Sequence, residues 1–470
     1  MPKENKYLKN TIILSIGKFA TQFIAIVLLP LFTRYLSTSD YGYIDLIQTY
    51  INLFIPLFLL CFDTAVFRFL VDSRDDKKGI ERIISSSLII LGVQLLFLTI
   101  LSALLLFVVS IHYYLLTVIN IASLMISNVL LQVCRGLGKN TYYSISSIII
   151  AIFNLIINIV LILFFNFNAS SILIASIIGN IVASIYIVIK IKLITFVNFN
   201  SINMDVIRGM LNFALPMVPH TFSWWVVNVS DRTLIALFLA TSANGIYTIS
   251  CKFSNIINSI FSIFLMSWQE EASLHIDDKE KSHFFSKHIN DTLILFLSLI
   301  ILCLTTIPIV YNFMIGKNYI ESYNYIPILL IACLFSIATT LLGGIYVAKK
   351  LTKEVAKTSF LSALINLIIN LILIKELEIY AACVSTLISY LVMFVYRLID
   401  VKKYINLKFN YNKIFPLLLL LVVSSFVYYT SNKLFCSILF LIDLVACSYF
   451  NKELLLDFKN IIFNRIHKSN

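Results

Sequence analysis

Runs of about twenty apolar residues, cut by short polar connections, recur from one end of the sequence to the other. Each is long enough to cross a hydrocarbon core of about 30 Å as a helix. Fourteen can be marked, at 10–33, 43–69, 83–109, 113–134, 142–165, 169–189, 209–239, 245–268, 292–314, 326–347, 358–374, 379–399, 414–431 and 434–450. The pattern predicts an all-α polytopic membrane protein of about 14 transmembrane helices. Pro30, Pro56, Pro216, Pro219, Pro308, Pro327 and Pro416 fall in these segments, and each removes a backbone donor and tends to kink its helix. Pro216 and Pro219 together mark segment 7 as the bent or hinged one. Between segments 8 and 9, charges interleaved with Phe284, Phe285 and Ile289 predict a short helix on the membrane surface or a solvated loop.

The polar punctuation repeats itself. LSTSDYG at 36–42 returns as LATSANG at 239–245, Asp75-Asp76-Lys77-Lys78 as Asp277-Asp278-Lys279-Glu280, and Asn154-Leu-Ile-Ile-Asn158 as Asn366-Leu-Ile-Ile-Asn370. The order is kept and the spacing nearly so, which describes a duplicated unit. Six crossings per unit give both copies the same orientation, hence two six-helix lobes related by a pseudo-twofold along the membrane normal. The expected domains are an N-terminal lobe at 1–200, a second lobe at 201–405, and an appended pair, segments 13 and 14, with a tail at 406–470. Parallel repeats of this kind place a substrate path between lobes.

Composition fits this reading and charge orients it. The 470 residues are 60% hydrophobic and 13% charged, with mean hydropathy +0.93; soluble domains carry about 25% charged residues. A net charge of +12 would suggest nucleic acid in a soluble chain, but its distribution excludes that partner. Lys and Arg crowd the N-terminus and the connections at 68–82, 135–139, 190–208, 279–287, 349–357, 397–413 and 452–468. The opposite side holds only Arg34, Lys317, Lys375 and Lys433. Both termini are therefore expected in the cytoplasm. The N-terminal run is too long for a signal peptide and lacks a small-residue cleavage site, so it reads as a retained first helix. The eight cysteines lie in apolar segments without paired spacing and read as small buried hydrophobes.

Charges at mid-depth are the functional candidates, because a Lys at a bilayer centre costs about 2.5–3.5 kcal/mol on insertion scales. Lys18 lies about 13 Å along helix 1 at 1.5 Å per residue, and Lys252 is comparably deep in helix 8. Thr11, Ser15, Lys18 and Gln22 share one helical face, as do Lys252, Asn255, Ser259 and Ser262. Two polar stripes with one lysine each suit a water-filled cavity for an anion. Asp231-Arg232 reads either as a self-neutralising pair or as an outer gate or ion site. His220 reads as a titrating or a packing residue. Asp63 and Arg68 are expected to neutralise each other or to reach headgroups, and Arg34 to anchor the interface. Asn154, Asn158, Asn366 and Asn370 read as helix-packing contacts. Catalytic signatures are absent: no phosphate-cradling glycine loop, HExxH or nucleophile elbow. No cofactor, metal site or enzymatic activity is expected, and transport must draw on an ion gradient, the membrane potential or the substrate gradient unless a partner supplies energy.

FTRYLSTSDYG at 32–42, LPMVPHTFSWWVVNVSDR at 215–232 and GIYTISCKFSN at 245–255 resemble the polysaccharide transporters of the MOP flippase superfamily. The likeness is to Wzx-type exporters of lipid-linked O-antigen or capsule repeat units. It implies a flippase of the bacterial inner membrane that moves an undecaprenyl-pyrophosphate-linked oligosaccharide between leaflets by alternating access. Basic residues of the family's central cavity face the anionic headgroup; here these would be Lys18 and Lys252, more weakly Arg34 and Arg232, with Gln22 and Asn255 near the sugars. Asp231, Pro216, Pro219 and His220 would serve gating or ion coupling. A lipid II flippase and a MATE-type cation-coupled drug exporter are the alternatives; the exporter calls for membrane carboxylates, whereas the mid-depth charges here read as basic. A membrane glycosyltransferase or polymerase would need its acidic pairs on the outer face, where the charge rule does not put them. Whether a polysaccharide polymerase docks on helices 13 and 14 stays open, as does the glycan.

Overall fold

The structure, a computed structural model, describes residues 20–106, 112–349, 351–430, 432–454 and 456. The described residues form helices α1 (Ala20–Tyr35), α2 (Thr38–Leu59), α3 (Phe62–Asp72), α4 (Lys77–Leu105), α5 (Tyr114–Gly136), α6 (Asn140–Leu163), α7 (Ser170–Lys190), α8 (Met204–Ala214) and α9 (Met217–Phe238). They continue as α10 (Thr241–His275), α11 (Lys281–Met314), α12 (Ile326–Ala348), α13 (Thr352–Leu377), α14 (Ile379–Val401), α15 (Tyr411–Thr430) and α16 (Lys433–Phe450). Among the described residues twelve helices are long and apolar enough to cross a membrane; α1 and α9 fall in the other two of the fourteen apolar segments. The protein is a multi-pass, all-helical membrane protein.

Three segment boundaries differ from the sequence reading, each for a local reason. The run at 43–69 is two helices: Leu60 and Cys61 adopt left-handed backbone, φ 52° and 54°, just after Pro56, and separate α2 from α3. The run at 209–239 is also two helices. It breaks at Leu215–Pro216, and Asn203 starts α8 by accepting the amides of Asp205 and Val206. Between α10 and α11 no separate surface helix stands; both helices run on past the bilayer-length stretch and leave a turn at 276–280. The charged residues there belong to helix ends.

The chain forms two compact units, one ending at Ser230 and the other beginning at Asp231, with the boundary inside α9. In the first, α6 packs on α7, α5 on α7, and α3 on α5 and α8. Gly136 is required where α5 meets α3, since a Cβ there would come within 2.6 Å of Leu70 Cβ. The start of α9 lies on α3, with Thr221 Oγ1 3.6 Å from Cys61 Sγ and the Thr64 hydroxyl donating to Met217 Sδ. In the second unit, α10, α12, α13 and α14 pack as one group, and α15 and α16 lie against α11. All eight cysteines are free thiols.

Candidate functional site

One carboxylate of the second unit gathers polar partners from three neighbouring helices. Asp231, half-buried on α9, accepts from Asn370 Nδ2 on α13 at 2.8 Å through Oδ1. Its Oδ2 accepts from the Thr386 hydroxyl on α14 at 2.9 Å and from the Tyr247 hydroxyl on α10 at 3.3 Å. Asn366, one turn before Asn370, donates to the Thr386 hydroxyl at 3.2 Å. The next turn of each helix is apolar: Ile235, Cys251, Ile374 and Ala382 form a buried cluster with Tyr247, Cys383 and Leu329. The carboxylate thus stands at the edge of a dry core, held by neutral donors.

The donor set carries an imbalance. Asn366 Oδ1 and Asn370 Oδ1 are buried and accept no hydrogen bond, although each such atom costs free energy when left unpaired. Two unpaired amide oxygens thus belong to the residues whose amide nitrogens hold this carboxylate and its Thr386 partner, and all of these oxygens are hard donors of the kind that suit a small cation rather than a thiolate-loving metal. Among the described residues no three His, Cys, Asp or Glu side chains converge.

The residues expected from sequence are dispersed. Lys18 lies outside the described residues. Gln22 and Arg34 are exposed on α1 of the first unit. Lys252 is half-buried on α10, and Asn255, one turn on, is exposed. The hydroxyls of the expected stripe turn to their own helix, Ser259 to Asn255 O and Ser262 to Ser259 O. Arg232 is half-buried beside Asp231. Pro216 occupies the break before α9, and Pro219 and His220 fall in its first turn, where the structure does not describe their side chains. Arg68 pairs with Asp72 at 2.7 Å, not with Asp63, because the i,i+4 step puts Asp72 on its own face.

Several polar groups escape sequence reading. Asn370, read as packing, binds the carboxylate, while Asn154 and Asn158 bond back to their own helix, donating to Ile150 O and Asn154 O. Tyr247 and Thr386 carry no signal in isolation. Arg397, read as part of a basic connection, is 4% exposed within α14. Its guanidinium donates to the Thr358 and Ser359 hydroxyls and to Thr339 O. The reading of mid-depth charges as basic also fails, for Asp45 in α2 and Asp443 in α16 are buried inside spans. A lone Asp within an apolar run was the available signal.

Comparison with known proteins adds the family. A family model described as polysaccharide biosynthesis protein matches residues 7–268, more than half of the chain. The chain belongs to that polysaccharide biosynthesis family. No curated protein matches it. The fold of this family member is similar to that of lipid II flippase MurJ in an inward closed conformation, with TM-score 0.70 and 18% identity over 95% of this chain and 99% of that one. It is also similar to an inward-facing multidrug resistance MATE family transporter of the MOP superfamily, with TM-score 0.65 and 10% identity over 83% and 98%. A MOP superfamily transporter from Pyrococcus furiosus, described as having a binding pocket of reversed polarity, aligns with TM-score 0.58 and 10% identity over 84% and 95%. The polysaccharide biosynthesis family member therefore shares the fold of these three proteins.

Proposed function

We propose that this protein is a flippase for an undecaprenyl-pyrophosphate-linked oligosaccharide repeat unit, working by alternating access in the bacterial inner membrane with both termini cytoplasmic. The observation that carries this reading is the polysaccharide biosynthesis family match over 7–268 on a chain whose fold is that of membrane transporters. The substrate class follows from surface polysaccharide assembly, whose units are built on a prenyl pyrophosphate.

In this reading the lobes are 1–200 and 201–405, with 406–470 appended, and Lys18 and Lys252 attract the pyrophosphate. Arg34 and Arg232 add positive charge, and Gln22 and Asn255 contact sugars. Asp231 is the coupling site. A proton or a small monovalent cation bound there satisfies the carboxylate and changes the packing of α9 against α10, α13 and α14. The orphaned Asn366 and Asn370 oxygens support this role, since an incoming cation gives them the partner they lack. Bending at Pro216 and Pro219, with His220 beside them, then opens one side.

The test is the leaflet and amount of prenyl-pyrophosphate-linked repeat unit in cells with and without the protein, alongside surface polysaccharide. The reading expects lipid-linked units stranded on the cytoplasmic leaflet when the protein is absent. Correctly flipped units without polymer would overturn it in favour of polymerisation. A second reading, a lipid II flippase, is favoured by the fold match covering 95% of the chain; stranded lipid II in the same extract would select it.

A further inference from the structure

A second buried carboxylate stands apart from the Asp231 site. Asp443 lies ten residues into α16, about 15 Å along its axis at 1.5 Å per residue, near the middle of an apolar span. It is 0% exposed, and with Cys436 and Cys447 it makes up the buried face of α16. That face is directed at α15 and α11: Ser424 Oγ lies 3.0 Å from Asp443 Oδ2, and Cys447 Sγ and Asn451 Nδ2 turn to Ser298 of α11. Oδ1 of Asp443 has no hydrogen-bond partner.

An ionised carboxylate offers about four lone-pair sites and donates nothing. Here it would have one neutral hydroxyl in the interior of a lipid-embedded helix group, where a bare charge is among the costliest things to bury. Charged or titratable groups on the packed helices sit toward the ends. Asp291 of α11, Lys413 of α15 and Glu453 lie toward one end, and Tyr311 of α11 and Tyr428 of α15 toward the other. Cys303 of α11 and Cys447 of α16 are nearer mid-helix, and neither supplies positive charge. Adding a proton removes the difficulty. The acid's own O–H then takes the Ser424 line, donating to the hydroxyl oxygen along the same 3.0 Å separation.

We infer that Asp443 is a proton-binding site of the α15–α16 pair, carried as the neutral acid while the pair is packed on α11 and giving up its proton when the pair separates. The proton leaves to water at opening and returns from water at closure, so the ligand is the proton itself. The inference does not depend on what the protein transports.

Infrared spectroscopy of the full-length protein in lipid bilayers tests it, comparing wild type with Asp443→Asn and Ser424→Ala. At neutral pH the wild type should show a protonated-carboxyl C=O band that Asp443→Asn lacks and Ser424→Ala shifts; Asp231→Asn should leave that band in place. Hydrogen exchange of α16 amides supplies the second readout. It should rise in wild type by about tenfold per pH unit beyond the chemical rate above the ordinary Asp value of about 3.9, for as long as the packed acid keeps its proton and the opened one loses it, and follow the chemical rate alone in Asp443→Asn. If Asp443→Asn fails to fold, the band shift in Ser424→Ala decides. A neutral-pH spectrum without a carboxyl band assignable to Asp443 would overturn the site. Equal exchange in both proteins at every pH would overturn its link to opening.

Discussion

At the scale of single residues, the chemistry of this protein lies in a few polar groups that an apolar chain goes to some cost to keep. Asp231 is held by Asn370, Thr386 and Tyr247. Asp231→Asn keeps the shape but removes the charge that a cation would bind. It should insert and fold normally yet lower coupled transport by about 5–150-fold, the usual range of a coupling free energy, and abolish its response to pH or cation in reconstituted vesicles. Arg397 makes a different claim. Its hydrogen bonds tie α14 to α12 and α13, and Gly343 leaves the room, since a Cβ there would lie 2.6 Å from Nη1. Arg397→Lys should cost about 1–3 kcal/mol through hydrogen bonds left unmade, read as a lower thermal midpoint in detergent, and Gly343→Ala should destabilise in the same sense. Sequence made Asp231 legible because a charge in an apolar run is conspicuous. It left Asn370, Thr386 and Arg397 obscure, because their role depends on which helices meet.

At the scale of elements, apolar run length located nearly every helix, while the breaks within runs followed local backbone chemistry that length does not record. Pro56 is followed by two left-handed residues, and Pro216 sits in the turn between α8 and α9. The second break is the hinge of the proposed motion. Pro216→Ala restores a backbone donor there and should slow transport while leaving its dependence on Asp231 intact, as measured by initial rates in vesicles. The α10–α11 turn carries a titratable contact. His275 Nδ1 lies 2.6 Å from Asp278 Oδ2 and Nε2 lies 3.4 Å from Glu271. The bond to Asp278 and the neighbouring carboxylates raise the imidazole pKa. A raised value means that the contact contributes fully below about 6.5, the ordinary His value, and is lost as pH rises past the folded one. Amide exchange across 276–280, corrected for its chemical rate, should therefore increase on going from mildly acidic to mildly alkaline pH, and Asp278→Asn should flatten that increase.

At the scale of the whole molecule, a duplicated punctuation, a basic bias on alternate connections and about fourteen spans describe a multi-pass helical membrane protein before any coordinate is considered, and the all-helical fold agrees. What the repeat could not convey is that its two copies diverge in chemistry. The Asn pair of α6 bonds its own helix, whereas Asn370 of the corresponding pair in α13 binds a carboxylate. The most direct measurement of the account is made with purified protein in sealed vesicles carrying a prenyl-pyrophosphate-linked oligosaccharide in one leaflet. A membrane-impermeant glycosidase reports the units that reach the other leaflet. The account predicts protein-dependent flipping that an imposed proton or cation gradient accelerates and that Lys18→Gln with Lys252→Gln abolishes. Flipping no faster than in protein-free vesicles, with the protein folded and oriented, would contradict it.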